Sequence, residues 1–317
     1  MKTLTTSKQR CYAEVMPSRE RPGSHRPAER RPAKELLGEQ ELHGMISTSL
    51  SELGQELQAG KSERLLQYLD FASRFHHYSR ANQLLISLQR PNATRVASYK
   101  KWQEEGYQVA KGETGIRILA PSFKKQTNEE TGEEERVVRS FVAVSVFDVS
   151  QLTPDKRPPE FFEPLEGDQE ALCQAIVTAA STDGFQVGIS ADTEGAQGYS
   201  VGRRIVTREG IDSTSRALTL FHEWAHGVLH QGVHALADER QLTRELKECH
   251  AEATAWVAAR HFGVETPYSS DYLLQWGTTP DLLREELDAI VKAASHIISS
   301  VHAVTGEEEI HETEAEA

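Results

Sequence analysis

Apolar positions return at helical spacing through much of this chain. From Ser62 onward, Leu65, Leu66, Leu69, Phe71, Ala72, Phe75 and Tyr78 recur every three or four residues. Leu84, Leu85, Ile86 and Leu88 carry the pattern to Arg90, and Pro91 ends it because proline lacks the N–H the next turn needs. One long helix is therefore expected, then a short one over 98–105. Residues 108–110 and 116–119 read as strands, with Lys111-Gly112-Glu113 as the turn and Pro121 closing the unit. A charged hairpin tip over 124–136 leads into a β-branched and aromatic strand over 137–149. Four prolines between 153 and 164 then break the pattern. Beyond them, helices are predicted over 168–180, 213–230, 240–262 and 280–301. Strands are predicted over 185–190 and 204–207, with glycine turns at Gly195 and Gly198. Asp212 or Ser213 serves as N-cap of the 213–230 helix, and Gly263 stops the next. Helices and strands segregate rather than alternate, so the fold class is α+β.

The chain has 317 residues, enough for two domains of about 150 residues each. No run approaches the roughly 18 apolar residues of a membrane helix. The polar first ten residues predict no secretory signal. Cys11, Cys173 and Cys249 are few, odd in number and scattered, which argues against a disulfide framework and fits a reducing cytoplasm. These features exclude membrane, fibrous and disulfide-scaffold classes.

The net charge of −13 hides a segregation. Residues 1–60 carry nine basic and eight acidic groups; residues 61–125 carry twelve and five; residues 126–317 carry fourteen and thirty-five. Residues 1–40 are rich in Arg and Pro and poor in large apolar groups, as in a disordered tail, and 306–317 carry six glutamates. Within the basic segment, Tyr78, Asn82, Arg90, Lys100, Lys101, Trp102 and Lys111 are candidates for contacting single-stranded nucleic acid, with cations for phosphates and rings for stacked bases. Phe71 and Phe75 read as helix core.

The chemistry-bearing motif is His222-Glu223-Trp224-Ala225-His226. Two histidines at i and i+4 share one helix face, so their ring nitrogens can converge on one zinc ion. Glu223 is rotated aside, where it can act as general base on a metal-bound water without ligating the metal. The third ligand comes from the next helix. There Ala251, Ala255, Ala258, Ala259 and Phe262 make an apolar stripe, and Glu248 and Glu252 fall within its arc. Carboxylates on a core-facing stripe are costly unless paired. Glu248 as ligand and Glu252 as a hydrogen-bond acceptor for a ligand histidine would satisfy both. His250 and Glu252 are the alternative ligands. His230 lies one further i+4 step along, and Tyr268 and Tyr272 could aid an oxyanion.

The two halves together resemble the ArdC antirestriction family. The resemblance runs over about 62–300. It is carried by Tyr78-Ser-Arg-Ala-Asn82, Gln89-Arg-Pro-Asn-Ala-Thr-Arg-Val96, Trp102, Val109-Ala-Lys-Gly-Glu113 and Ile116, then by His222–His226, Glu248-x-x-x-Glu252, Gly263 and Tyr268-Ser-Ser-Asp-Tyr272. It implies an N-terminal single-stranded-DNA-binding domain, a zincin-like metallopeptidase domain, carriage on mobile elements and protection of DNA from restriction. It also implies a downstream glutamate as third ligand, which favours Glu248, although His250 stands where related sequences often carry an acid. The expected layout is a disordered basic, Pro-rich tail over 1–60, the DNA-binding domain over 61–153, a linker over 154–167, the metallopeptidase domain over 168–303 and an acidic tail over 304–317. The expected function is a cytoplasmic zinc metallopeptidase joined to a DNA-binding module, acting on a protein or peptide. The rival is a non-enzymatic DNA-binding protein with a structural zinc site.

Overall fold

The computed structural model describes residues 36–127, 134–153, 158, 169–230, 242–266 and 280–306. The tail over 1–35, most of the 154–167 linker, Tyr268, Tyr272 and the acidic tail from 307 lie outside the described residues. The first surprise is a helix, α1 (Glu39–Gln58), where a tail to residue 60 was expected. Leu42, Ile46, Leu50, Leu53 and Leu57 stand on one face and are all buried. The helical period was present in those leucines, but the surrounding polar and charged residues masked it. At the N-terminus the Glu41 carboxylate accepts from the Gly38 N–H at 2.7 Å.

The long helix expected after Ser62 is two helices, α2 (Glu63–Arg74) and α3 (Arg80–Gln89). Ser79 caps α3, its hydroxyl accepting from the Asn82 N–H. The break is held from inside by Gln83. Its amide donates to the carbonyls of Phe75 and Tyr78 at 2.9 and 3.1 Å, and its oxygen accepts from the Tyr68 hydroxyl at 2.8 Å. Burial drives the Tyr68 phenol well above its ordinary range, so it stays a donor.

The first sheet has the order β1-β3-β2, all antiparallel, with β1 (Val96–Ser98), β2 (Ile116–Thr127) and β3 (Glu134–Asp148). A short helix, α4 (Tyr99–Glu104), follows β1. Pro121 does not close β2. The strand runs past it, paired with Phe141, because β2 is an edge strand where a missing N–H costs no ladder bond. The rest of that edge is sealed by α3. Asn82 receives the Leu119 N–H and donates to the Leu119 carbonyl, at 2.9 and 2.8 Å. Gln89 does the same for Arg117, at 2.8 and 2.7 Å. Two side-chain amides thus stand in for a neighbouring strand. Residues 108–110 form no strand, and only a single bridge joins Val109 to Leu152.

The second half contributes α5 (Glu170–Thr182), β4 (Gln186–Ser190), β5 (Gly198–Val201), β6 (Arg204–Arg208), α6 (Ser213–His230), α7 (Arg244–His261) and α8 (Pro280–Thr305). Strand β5 was hidden behind its glycine and read as a turn. The sheet order is β4-β6-β5, parallel between β4 and β6 and antiparallel between β6 and β5. Asp212 caps α6, accepting from the Ser215 N–H at 2.9 Å.

The architecture is α+β with a sheet in each half. The halves share one continuous hydrophobic core running from Leu42 to Val301, and the chain from Leu36 onward forms one compact unit. Helix α7 packs on α2, α6 and α8. Polar contacts join the halves as well: Arg80 to Asp288 at 2.8 Å, Arg260 to Asp70 at 2.9 Å, and the His261 Nδ1 to the Ser73 carbonyl at 2.8 Å. No described helix is long and apolar enough to cross a membrane.

Candidate metal centre

Helix α6 presents His222 and His226 one turn apart, and α7 lies against it along the length that carries Glu248 and Glu252. The two Nε2 atoms are 3.1 Å apart, and Glu248 Oε2 lies 3.5 Å from the first and 3.4 Å from the second. The three donor atoms form a nearly equilateral triangle. A tetrahedral zinc with bonds of about 2.0–2.1 Å separates neighbouring ligand atoms by about 3.3–3.4 Å, so the triangle matches one face of that polyhedron. Among the described residues it is the one group of His, Cys, Asp or Glu side chains close enough to hold a metal ion. The donor chemistry fits a divalent cation: two imidazole nitrogens and a carboxylate oxygen converge on one point.

The remaining groups support this triangle. Glu252 Oε2 sits 3.0 Å from His222 Nδ1, which fixes that ring and directs Nε2 at Glu248. Burial disfavours a charge on His222, but the hydrogen bonds to Glu248 and Glu252 overcome it and hold its pKa up at about 9. His226 goes the other way, to about 4, from burial and then from the neighbouring His222 charge, so it is neutral near pH 7. The bond to His222 holds the Glu248 carboxyl down at about 2, against the cost of burial. Glu223 is 8 % exposed, and burial raises its carboxyl above the usual range while a hydrogen bond from Ser200 opposes the rise. That bond comes from β5, which presses closely on α6. A Cβ on Gly198 would stand 2.5 Å from Thr219 Cγ2 and 2.7 Å from the Val206 carbonyl, so the approach requires glycine. This close approach was the signal in Gly198 that pattern reading took for a turn.

His250 does not join the group. It is buried with its ring stacked on His230 at 5.7 Å, and His230 Nε2 lies 3.3 Å from the Lys247 carbonyl. Its expected role as an alternative ligand is corrected on that ground: its ring packs on His230 of α6, outside the triangle of His222, His226 and Glu248. Glu252 likewise contacts His222 from behind rather than closing the triangle.

The candidate nucleic-acid residues divide differently. Tyr78, Asn82 and Trp102 are 2 %, 1 % and 0 % exposed. Tyr78 reaches the Val96 carbonyl, Asn82 seals β2, and Trp102 donates from its indole to the Phe147 carbonyl at 2.8 Å inside a small core with Ala97, Val109 and Leu152. The structure places these three inside the fold, where they serve as structural residues and not on an exposed surface. Arg90, Lys100, Lys101 and Lys111 are at the surface or half-buried. Much of the cationic excess is spoken for: Arg90 faces Asp148 at 3.7 Å, Lys100 faces Glu104 at 3.3 Å, and Arg95 pairs with Glu105 at 2.9 Å.

Residues 39–147 match the model of the N-terminal domain of the anti-restriction factor ArdC. An uncharacterised protein of Bacillus anthracis is 24 % identical over 287 residues, covering 76 % of this chain. The chain spans about half the length of that curated relative, 48 % of it. Two crystal structures of the antirestriction protein ArdC from plasmid R388 are also similar at 17 % identity. The metal-free one has a TM-score of 0.49 and covers 84 % of this chain and 99 % of that one; the Mn(II)-bound one has 0.44, with 82 % and 97 %.

Proposed function

From the match of residues 39–147 to the N-terminal domain of the anti-restriction factor ArdC, we propose a zinc-dependent metallopeptidase joined to a single-stranded-DNA-binding module in an antirestriction role. The observation that carries the enzymatic part is the triangle of His222 Nε2, His226 Nε2 and Glu248 Oε2, with edges of 3.1, 3.5 and 3.4 Å. His222, His226 and Glu248 would hold the ion. Zinc bound there would act as a Lewis acid on a scissile carbonyl and lower the pKa of a bound water.

Glu223 is the proton carrier. It sits one residue from His222 on α6, with a carboxyl that burial keeps more basic than usual, and it would take a proton from the attacking water and deliver it to the leaving amine. Ser200 orients that carboxyl from β5. Strand β5 has a strand neighbour on one side only among the described residues. Its other edge would receive an extended peptide by backbone hydrogen bonding, beside Glu223. Glu252 keeps the His222 ring from rotating.

The test is Glu223→Gln in the full chain, read by metal content, by DNA binding, by peptide cleavage and by antirestriction activity. The expected result is metal and DNA binding at wild-type levels with peptide cleavage and antirestriction lost. Full antirestriction in Glu223→Gln would establish instead the non-enzymatic reading, in which the metal is structural.

A further inference from the structure

Past the sealed stretch at Arg117 and Leu119, the β2–β3 ribbon presents a face that no described element covers. Pro121 stands opposite Phe141, and Phe123 stands opposite Val138 across the bulge at Ser122/Phe123. The register puts all four side chains on the same side. Phe141 is 47 % exposed and Val138 52 %, and Pro121 and Phe123 are half-buried. An uncovered apolar strip containing two aromatic rings marks a contact surface. Its flanks are cationic. The Arg136 guanidinium lies 4.7 Å from the Phe123 ring centroid, and Arg139, the extra residue of the bulge, is exposed. Farther out, Lys125 pairs with Glu134 at 2.8 Å, so the positive field is strongest at the bulge and fades toward the tip.

We infer that this face of the ribbon is the platform on which single-stranded DNA stacks, with a base on Phe141 and phosphates on Arg136 and Arg139. The inference rests on the DNA-binding part of the proposed function and relocates its surface. A flat exposed ring pairs with an unstacked base, which a single strand offers and a duplex does not. Cations beside the rings complement the phosphates that accompany those bases. The buried Tyr78 and Trp102 can do neither.

The experiment titrates the full chain into fluorescein-labelled oligo(dT) by anisotropy at two salt concentrations, with a labelled duplex in parallel. The variants are Phe141→Ala, the double Arg136→Ser/Arg139→Ser and the double Lys100→Ser/Lys111→Ser, each checked for an unchanged melting temperature. Phe141→Ala is expected to weaken oligo(dT) binding roughly 5- to 100-fold. The arginine double is expected to weaken it and to flatten its salt dependence. Three results overturn the inference: oligo(dT) affinity unchanged in both ribbon variants but lost in the lysine double, tighter binding to the duplex, or a dimer in light scattering that Phe141→Ala converts to a monomer. A wild type that binds no oligo(dT) fails one step earlier and removes the DNA-binding reading itself.

Discussion

Helices α3 and α6 each turn a pair of polar side chains inward, and the two pairs do opposite things. Asn82 and Gln89 each meet one backbone N–H and one backbone C=O of β2. Donors and acceptors match, every group is satisfied, and nothing further is required. His222 and His226 meet a carboxylate and each other. There two imidazole nitrogens and a carboxylate oxygen converge on one point. Complementary pairs inside a protein are structure; converging lone pairs call for a cation. The difference could not be read from residue type, since amides, imidazoles and carboxylates all look equally like site residues in a sequence.

The largest effect that can test this contrast is on metal content. Glu248→Ala removes one corner of the triangle, and metal measured by plasma mass spectrometry on purified protein should fall from one ion per chain to none. His250→Ala should leave it at one. The reverse result would move the third ligand to His250, beside His230, and undo the argument from convergence.

Next comes the cost of unsealing β2. Asn82→Ala leaves the Leu119 N–H and C=O without partners at a site where Asn82 itself is 1 % exposed. At about 1–3 kcal/mol for each of the two buried groups left unpaired, the loss of stability should be about 2–6 kcal/mol in urea unfolding. A folded variant of unchanged stability that has lost DNA binding would make Asn82 a contact residue after all.

How much of this was legible beforehand follows the same division. The α6 motif could be read because its information is local: four residues of helix place both imidazoles, and the apolar neighbours say which face is buried. Glu248 and Glu252 could be read because acids on an alanine stripe need a reason. The surface of the first half could not. Its cations were visible, but the acids that answer them, such as Asp148 for Arg90 or Glu105 for Arg95, come from other elements. Helix α1 was missed because its leucines are diluted by glutamates and serines, and the break between α2 and α3 because Gln83 that holds it acts from within an apolar run. The sharing of one core by two halves was also beyond reach, since no local period reports which helix α7 will pack on.

A smaller effect separates ligand from support. Glu252→Gln keeps the shape but gives the amide no carboxylate charge with which to hold His222 Nδ1 at 3.0 Å. Metal affinity, measured by competition with a chelator, should fall about 10- to 100-fold, the usual cost of losing a partner behind a ligand histidine, while stoichiometry at saturating metal stays at one. Loss of stoichiometry would put Glu252 among the ligands.

The smallest effect concerns the seam between the halves. Arg260 at the end of α7 meets Asp70 of α2 at 2.9 Å, with side chains 41 % and 37 % exposed. A pair so open to water contributes about 0.2–1 kcal/mol, and a double-mutant cycle on Asp70→Ala and Arg260→Ala should return a coupling in that range. What joins the halves is then the apolar contact of α2 with α7 within the shared core. A coupling well above 1 kcal/mol would mean that the ion pair, and not the shared core, fixes how the first half stands on the helix that carries Glu248.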